Sequence, residues 1–198
     1  MIGRVPGRGR GYVVVGAHYD TKDEPGFVGA NDGASGTAVV TQLARTIRPH
    51  RLRKTVVFAL FDGEESPAGT PDADFEAKGL RGGRVAAARY RRARAMVLLD
   101  FVGDRRLRIP REELSSFTLW RELRRAARRV GAASTFPPAT QGEVLDDHLP
   151  FRQRGIRSID LIDFDFDCWH RTCDDLGAVS ERSLDAVGET LVELLASL

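Results

Sequence analysis

Four short apolar runs separated by helical patterns constrain the fold more than any other feature of this sequence. The runs lie at residues 12–15, 55–61, 95–99 and 156–162. Continuous apolar runs of this length are typical of strands in the middle of a sheet that is covered on both faces. The alternation of strands and helices predicts an α/β three-layer sandwich, with a mostly parallel, mixed central sheet flanked by helices.

Apolar residues at helical spacing predict four helices, at residues 39–47, 80–90, 116–130 and 180–198. Ser180 is a suitable N-cap for the last of them, because a serine side chain can accept a hydrogen bond from the first turn of a helix. Segments 66–78 and 134–143 contain prolines and glycines, so we expect them to be loops.

Length and charge set limits on the function. The chain has 198 residues, enough for one well-buried core, so we expect a single domain at 1–198. Its 30 basic and 28 acidic residues leave a net charge of +2, which favours neither a nucleic-acid partner nor a membrane partner. The arginine-rich segment 121–129 is expected to be a solvent-exposed helix face. No apolar run approaches the about 20 residues that span a bilayer and no signal peptide is evident, so we expect a soluble, cytoplasmic protein.

The chain has two cysteines, Cys168 and Cys173, on either side of the dipeptide Trp169-His170. Two cysteines are too few for a disulfide framework. A single local bridge between them is left open by the sequence.

Acids and histidines follow every one of the four apolar runs. Because the carboxyl ends of parallel strands meet at one edge of a sheet, we expect these side chains to lie close together. One acid or histidine after a strand is usually a hydrogen-bonded turn residue, but a set at consecutive strand ends indicates a shared ligand. Imidazoles and carboxylates without a thiolate suit zinc in a catalytic role. The candidate residues are His18, Asp20, Asp32, Glu64, Glu65, Asp100 and His170.

Six motifs occur in order over nearly the whole chain: GAHYD, GANDGASG, FDGEE, LLDFVG, DDHLPF and WHRTCDD. Together they resemble the superfamily that contains the zinc aminopeptidases of the leucyl and glutamate-carboxypeptidase type and the animal-type glutaminyl cyclases. Members generally have further structure before the first motif, so we expect this chain to lack the usual N-terminal elements. The resemblance implies a zinc enzyme.

The resemblance assigns different roles to the two adjacent glutamates. In the family the first is the general acid/base and the second is a zinc ligand, which implies proton transfer by Glu64 and metal ligation by Glu65. A zinc-bound carboxylate is held as an anion and is a poor proton carrier, so the division is physically reasonable. Neighbouring side chains of a strand point to opposite faces. Both acids can therefore enter one cavity only if the backbone turns, which Gly63 would allow.

The resemblance leaves the number of zinc ions open at one or two. In the cyclases the matching residues imply one zinc, held by Asp32, Glu65 and His170. In the two-zinc aminopeptidases, Asp32 would bridge the two ions and Asp20 would orient a histidine ligand. The ligands implied for the second zinc are His18 and Asp100.

Asp146 and Trp169 bear on the choice between cyclase and aminopeptidase. Cyclases carry an acid at the position of Asp146 that pairs with the residue at the position of Asp100, whereas aminopeptidases more often have serine or another small residue there. Trp169 matches a cyclase position that lines the substrate pocket. Two alternatives stay open, namely Asp146 as the N-cap of a helix that begins near Leu149, and Trp169 as a core residue. Against the cyclase, GANDGASG looks more like the peptidases, and segment 66–70 lacks the tryptophan that cyclases carry after their glutamate pair.

We therefore expect a zinc enzyme that acts on peptides with a free N-terminus, with cyclase chemistry favoured. Glu64 would move a proton from the α-amine of an N-terminal glutamine to departing ammonia, while Asp100 and Asp146 hold the amide nitrogen and Trp169 lines the pocket. The alternative is a two-zinc aminopeptidase in which Glu64 deprotonates a water. A catalytically inactive binding domain is disfavoured, because it would have no need for an unligated Glu64. The sequence does not indicate an oligomeric state.

Overall fold

The computed structural model describes residues 1–198, and it contains seven strands and six helices. The strands are β1 Ile2–Val5, β2 Tyr12–His18, β3 Thr55–Phe61, β4 Met96–Asp100, β5 Arg111–Glu112, β6 Thr140–Gln141 and β7 Ser158–Ile162. The helices are α1 Ala34–Thr46, α2 Phe75–Lys78, α3 Arg81–Arg89, α4 Phe117–Arg129, α5 Leu149–Arg152 and α6 Glu181–Ser197.

The main sheet has five strands in the order β1-β3-β2-β4-β7. Strands β3, β2, β4 and β7 run parallel, and β1 pairs antiparallel with β3 at one edge. The predicted mixed, mostly parallel sheet is confirmed. The sequence did not predict β1, because its exposed residues lack the apolar pattern of the buried strands.

Alternate residues of the strands face two separate apolar clusters, as the pleat of a sheet requires. In β2, Val13 and Val15 lie in a large cluster with α1, α4 and α6, whereas Val14 lies in a smaller cluster with α3 and α5. In β4, Val97 faces the large cluster and Leu98 faces the small one. Helices therefore cover both faces of the sheet, and this explains why the strands read as continuous apolar runs.

The predicted helices are present, with small differences at their ends. The Ser116 side chain caps α4 by accepting from Leu119 N–H. Ser180 occupies the N-cap position of α6, but its side chain forms no capping hydrogen bond. Both predicted loops contain short regular elements: segment 66–78 holds a 3₁₀ turn and α2, and segment 134–143 holds β6. These elements are only two to four residues long, too short to show a periodicity in the sequence.

The arginine-rich segment 121–129 forms a solvent-exposed face of α4, as expected. Arg121, Arg125, Arg128 and Arg129 of α4 are exposed, while Leu123 of the same helix is buried. None of the helices combines the length with the apolar character that crossing a bilayer requires.

Helix α1 approaches β4 closely at Gly36. A Cβ atom built on Gly36 would lie 2.2 Å from the carbonyl oxygen of Leu99, far inside van der Waals contact. Gly36, the last glycine of GANDGASG, is thus required for packing, since only glycine lets the first turn of α1 lie against the end of β4. This close approach holds the loop before α1 at the carboxyl edge of the sheet.

We predict that Gly36→Ala destabilises the protein by about 1–3 kcal/mol, because the backbone of α1 or β4 must move to make room for the methyl group. Gly188→Ala is the matched control. Gly188 also lies within a helix, but a Cβ there would meet nothing within 4 Å, so this change should raise stability by about 0.5–1 kcal/mol. Urea unfolding of the two variants and the native protein measures both effects. Equal stability of Gly36→Ala and the native protein would contradict the packing role.

Candidate active site

The strand order reverses between β2 and β4, the position at which open α/β sheets bind ligands. β2 ends at His18 and β4 ends at Asp100, and the two side chains meet there, with His18 Nε2 3.2 Å from Asp100 Oδ1. On its other side, His18 Nδ1 lies 3.1 Å from the backbone oxygen of Asp20. Burial alone would lower the pKa of His18, but the charge of Asp100 and the hydrogen bonds to the surrounding acids raise it well above its usual value, so the metal-free ring carries both protons. A metal at Nε2 would replace the proton there, while Nδ1–H continues to donate to Asp20.

Asp32 lies between two imidazoles. Its Oδ1 atom is 3.2 Å from Nε2 of His18, and its Oδ2 atom is 3.5 Å from Nε2 of His170. The turn that carries Asp32 is fixed by Asp174, whose carboxylate accepts from the N–H groups of Asn31 at 2.7 Å and Asp32 at 3.0 Å. Asp32 can therefore face two ligand groups from one rigid position.

The two adjacent glutamates both enter the site because the backbone turns before them. Gly63 has a φ of 75°, in the left-handed region that favours glycine. The turn is held by Asp20, whose carboxylate accepts from Glu64 N–H at 3.3 Å and from Glu65 N–H at 3.1 Å. Both glutamates are buried and line the same cavity. Lys22 contacts the second of them, with Nζ 2.9 Å from Glu65 Oε2.

His170 reaches the site from a loop after β7. Its φ is 51°, so a non-glycine residue adopts the left-handed conformation here. Trp169 stacks on the His170 ring with the ring centres 4.0 Å apart. Trp169 is 43% exposed and lines the cavity, so the core-packing alternative for Trp169 is wrong.

Two groups of side chains offer ligand atoms that lie within 4.8 Å of one another. The first group is His18, Asp32 and Asp100, and the second is Asp32, Glu65 and His170. Imidazole nitrogens and carboxylate oxygens without a thiolate fit zinc. Asp32 Oδ2 is buried and has no hydrogen-bond partner, which is costly unless a cation is bound there. The residues therefore fit a metal at either group, with Asp32 common to both.

Asp146 lines the same cavity and is 2% exposed. It does not cap α5, whose N-cap is His148 and has no side-chain capping bond; instead Asp146 Oδ1 accepts from Asp147 N–H. Burial, followed by the charge of Asp100, raises the pKa of Asp146 to about 7. Its Oδ2 atom has no hydrogen-bond partner. The helix-cap alternative is wrong, and the carboxyl group is available to the cavity.

The acids of the site perturb one another. Burial, and then the charge of Asp146, raises the pKa of Asp147 to about 8. The pKa of Glu64 is raised well above its usual value, mainly by burial and further by Asp146 and Asp147, although the charge of His18 opposes this shift. Burial raises the pKa of Asp100 to about 6, against the opposing charge of His18. A carboxyl group that can carry a proton near neutral pH suits proton transfer, which is the role expected of Glu64.

The cavity measures about 310 Å³. Of its 16 lining residues, nine are polar or charged and seven are apolar or aromatic. A cavity in which ionisable groups with raised pKa values converge beside apolar walls is a candidate small-substrate site. The apolar walls include Phe75, Phe101, Val144, Leu145, Phe164 and Trp169.

Some residues that shape the site were not predicted from the sequence. Asp174, which holds the Asp32 turn, lies inside the motif WHRTCDD, but its role depends on a contact across the fold. A fully buried trio lies behind the cavity, with His148 between Glu112 at 3.4 Å and Asp160 at 3.7 Å. The sequence offered two signals for this trio, an acid, Asp160, inside the apolar run at 156–162 and His148 inside the motif DDHLPF.

Comparison with known proteins places these features in context. The model of peptidase family M28 matches residues 1–195. Aminopeptidase YwaD of Bacillus subtilis is 29% identical over 193 residues, covering 89% of this chain and 39% of YwaD. A probable zinc metalloprotease of Pyrenophora tritici-repentis is 35% identical over 106 residues, covering 47% of this chain and 21% of the relative. This chain therefore spans well under half the length of these two relatives.

A solved structure resembles the whole fold. The crystal structure of a glutaminyl cyclase from an Acidobacteriales bacterium superimposes with a TM-score of 0.88 and 31% identity. The match covers 98% of this chain and 71% of the cyclase. Similar proteins thus include both an aminopeptidase and a cyclase.

We predict that the metal-free protein loses stability as the pH rises from 6.5 to 8.5. The folded-state pKa values of Asp146 and Asp147 are raised to about 7 and about 8, so their stabilising contribution is complete below the ordinary carboxyl pKa and is lost as the pH passes through these values. Urea unfolding in the presence of a chelator should show a loss of about 1 kcal/mol or more across this range.

Asp147→Asn provides the control for this pH dependence. The amide does not titrate, so the variant should show a smaller loss of stability between pH 6.5 and 8.5 than the native protein. A native stability that stays constant or rises over this range would contradict the prediction.

Proposed function

The chain belongs to peptidase family M28, and on this premise we propose that it is a zinc-dependent enzyme that converts N-terminal glutamine of peptides to pyroglutamate. The observation that carries the choice of cyclisation is the position of Asp146. Its carboxyl group is buried at the cavity wall, close enough to Asp100 for the charge of Asp100 to raise its pKa. A pair of acids that can share a proton suits the binding of a substrate amide nitrogen.

Three residues would hold the zinc of a cyclase, namely Asp32, Glu65 and His170. Their ligand atoms already lie within 4.8 Å of one another. Burial and the charge of Lys22 lower the pKa of His170 to about 4, which keeps the imidazole neutral as a metal ligand must be. Zinc bound there would supply a Lewis acid that polarises the γ-carbonyl group of the glutamine.

The side chains of the chain would carry out the remaining steps. Glu64 takes a proton from the α-amine as this amine attacks the γ-carbonyl carbon, and then delivers the proton to the departing ammonia. Asp100 and Asp146 hold the amide nitrogen that leaves. Trp169, at the cavity mouth, packs on the glutamine side chain and excludes water, which would otherwise compete with the α-amine.

A second candidate function is a two-zinc aminopeptidase. It is favoured by one specific observation, the group formed by His18, Asp32 and Asp100, which shares Asp32 with the other metal group. In this function Glu64 would take a proton from the attacking water, and Asp100 would hold a metal in place of a substrate amide. An inactive binding domain is not favoured, because Glu64 is buried at the cavity, where an acid without a function would carry a desolvation cost.

We predict that the zinc-loaded protein converts a glutamine-initiated peptide to a product that has lost ammonia and no residue. Mass spectrometry of the reaction distinguishes this product from the shortened peptide that hydrolysis would give. Asp146→Asn should reduce cyclisation about 100-fold while zinc content stays constant, because the variant can no longer share a proton at the amide site. Asp163→Asn is the control, since Asp163 is equally buried but does not line the cavity.

Three results together would contradict the cyclase proposal and support the aminopeptidase. They are release of the N-terminal residue, two tightly bound zinc ions per chain, and undiminished activity of Asp146→Asn.

A separate prediction concerns the roles within the glutamate pair. Glu64→Gln should lower turnover about 100-fold or more with unchanged zinc content, because the amide cannot carry the proton. Glu65→Gln should lose zinc, because the amide replaces a charged ligand. Metal analysis after dialysis and initial-rate assays measure both effects. Zinc loss from Glu64→Gln that equals the loss from Glu65→Gln would mean that the two roles are reversed.

A further inference from the structure

The two cysteines of the chain form a disulfide around the candidate metal ligand His170. The bridge joins Cys168 to Cys173 and so encloses Trp169, His170, Arg171 and Thr172 in a covalent loop. No free cysteine remains in the protein. The bridge therefore encloses one of the three residues proposed to hold zinc, together with the tryptophan that stacks on it.

Few other interactions hold His170 in place. Its left-handed backbone conformation is one that residues with a side chain rarely adopt. Neither its N–H nor its C=O takes part in a backbone hydrogen bond, and the nearest polar partner of its ring is Asp32, at 3.5 Å. One turn hydrogen bond, from Arg171 N–H to Cys168 C=O at 3.0 Å, spans the residue.

The loop is anchored on both sides, but not at His170 itself. Beyond its carboxyl end, the Asp174 carboxylate accepts from Asn31 and Asp32, and its backbone oxygen accepts from Ala30 N–H at 3.2 Å. At its amino end, Phe166 is buried in a small apolar cluster against which Cys168 packs, and its C=O accepts from Trp169 N–H at 3.1 Å. The disulfide joins these two anchored segments directly, with His170 in the loop between them.

We propose that the Cys168–Cys173 bridge is a positioning element for His170, and that thiol–disulfide exchange at this bridge controls the affinity of the protein for zinc. The proposal rests on the zinc site of the proposed function. With the bridge closed, His170 is preorganised toward Asp32 and Glu65. With the bridge open, ordering the loop has to accompany zinc binding, and the cost of that ordering lowers the affinity.

The chemistry of opening requires a dithiol as the reductant. The S–S bond breaks, two electrons and two protons pass to Cys168 and Cys173, and the dithiol becomes a disulfide. Access is direct, because Cys173 is exposed and Cys168 is partly exposed. Opening the bridge breaks no backbone hydrogen bond of the sheet or the long helices, so the effect is confined to the site.

Zinc affinity tests the proposal without reference to catalysis. The metal-free native protein is prepared oxidised and, separately, reduced with a dithiol that is then removed under anaerobic conditions. Each form is titrated with zinc against a chromophoric chelator. We expect the reduced native protein to bind zinc at least about tenfold more weakly than the oxidised native protein, the size of change typical when the support of a ligand is lost. The double variant C168S/C173S, kept in oxidising buffer, should bind zinc as weakly as the reduced native protein.

Two controls separate positioning from general stability. Reductant should not change the zinc affinity of C168S/C173S. Val187→Ala, in the buried face of α6 and away from the site, should lower global stability in urea without lowering zinc affinity. If zinc affinity falls in Val187→Ala as much as in C168S/C173S, the bridge acts only through stability and the positioning role is wrong.

The outcomes also separate this inference from the proposed function. Equal affinity of the oxidised and reduced native forms, or tighter binding by the reduced form, overturns the inference and leaves the zinc enzyme intact. Failure of the oxidised native protein to bind zinc overturns both. Tighter binding by the reduced native form but not by C168S/C173S would mean that the thiols themselves are ligands, which also contradicts the positioning role.

Discussion

Carboxylates that accept backbone N–H groups hold this site together. Parallel strands deliver their side chains to one edge of the sheet, but the connecting loops leave from different strands and need cross-links. Asp20, after β2, binds the turn that follows β3, and Asp174, after β7, binds the turn that precedes α1. Asp147 accepts in the same way from Gly83 N–H in α3. Where the acceptor is ionised, as at Asp20, these hydrogen bonds are stronger than neutral ones. Each of them fixes a loop that carries a candidate ligand or acid.

This arrangement separates the acids into two classes. Acids such as Asp20 are satisfied by backbone donors, and their charge is stabilised where it lies; hydrogen bonds and the neighbouring His18 lower the pKa of Asp20 despite its partial burial. Acids such as Asp32 and Asp146 keep oxygen atoms that are buried and have no partner. The first class builds the scaffold, and the second class leaves a local excess of negative charge. A cation and a protonated carboxyl group are the two means of offsetting it, and the proposed chemistry uses both.

The sequence predicted the sheet and the residues at its carboxyl edge because both follow from local rules. Apolar runs predict buried strands, and an acid directly after such a run must lie at the strand end, as Asp100 does at the end of β4. The ordered motifs added the division of roles between Glu64 and Glu65. By contrast, β1 carries no apolar pattern, so the sequence did not predict it. The hydrogen bond from Asp32 N–H to the Asp174 carboxylate joins residues 142 positions apart, and no local pattern reveals such a contact. The location of Asp146 could be established only from the structure, because an acid that caps a helix and an acid that lines a cavity can have the same local sequence.

In the proposed zinc site, the contact between Lys22 and Glu65 would change the thermodynamics of metal uptake. Lys22 Nζ lies 2.9 Å from Glu65 Oε2, so the proposed ligand is already paired with an ammonium group that is itself partly exposed. Uptake of zinc at this oxygen would therefore be an exchange of one cation for another. Its free energy is the difference between two attractive interactions, together with the rehydration of the released ammonium group, and it is smaller than the zinc–carboxylate attraction alone. The ammonium group of Lys22 thus acts as an internal competitor of zinc. Because it is part of the chain, its effective concentration at Glu65 is fixed and cannot be lowered by dialysis.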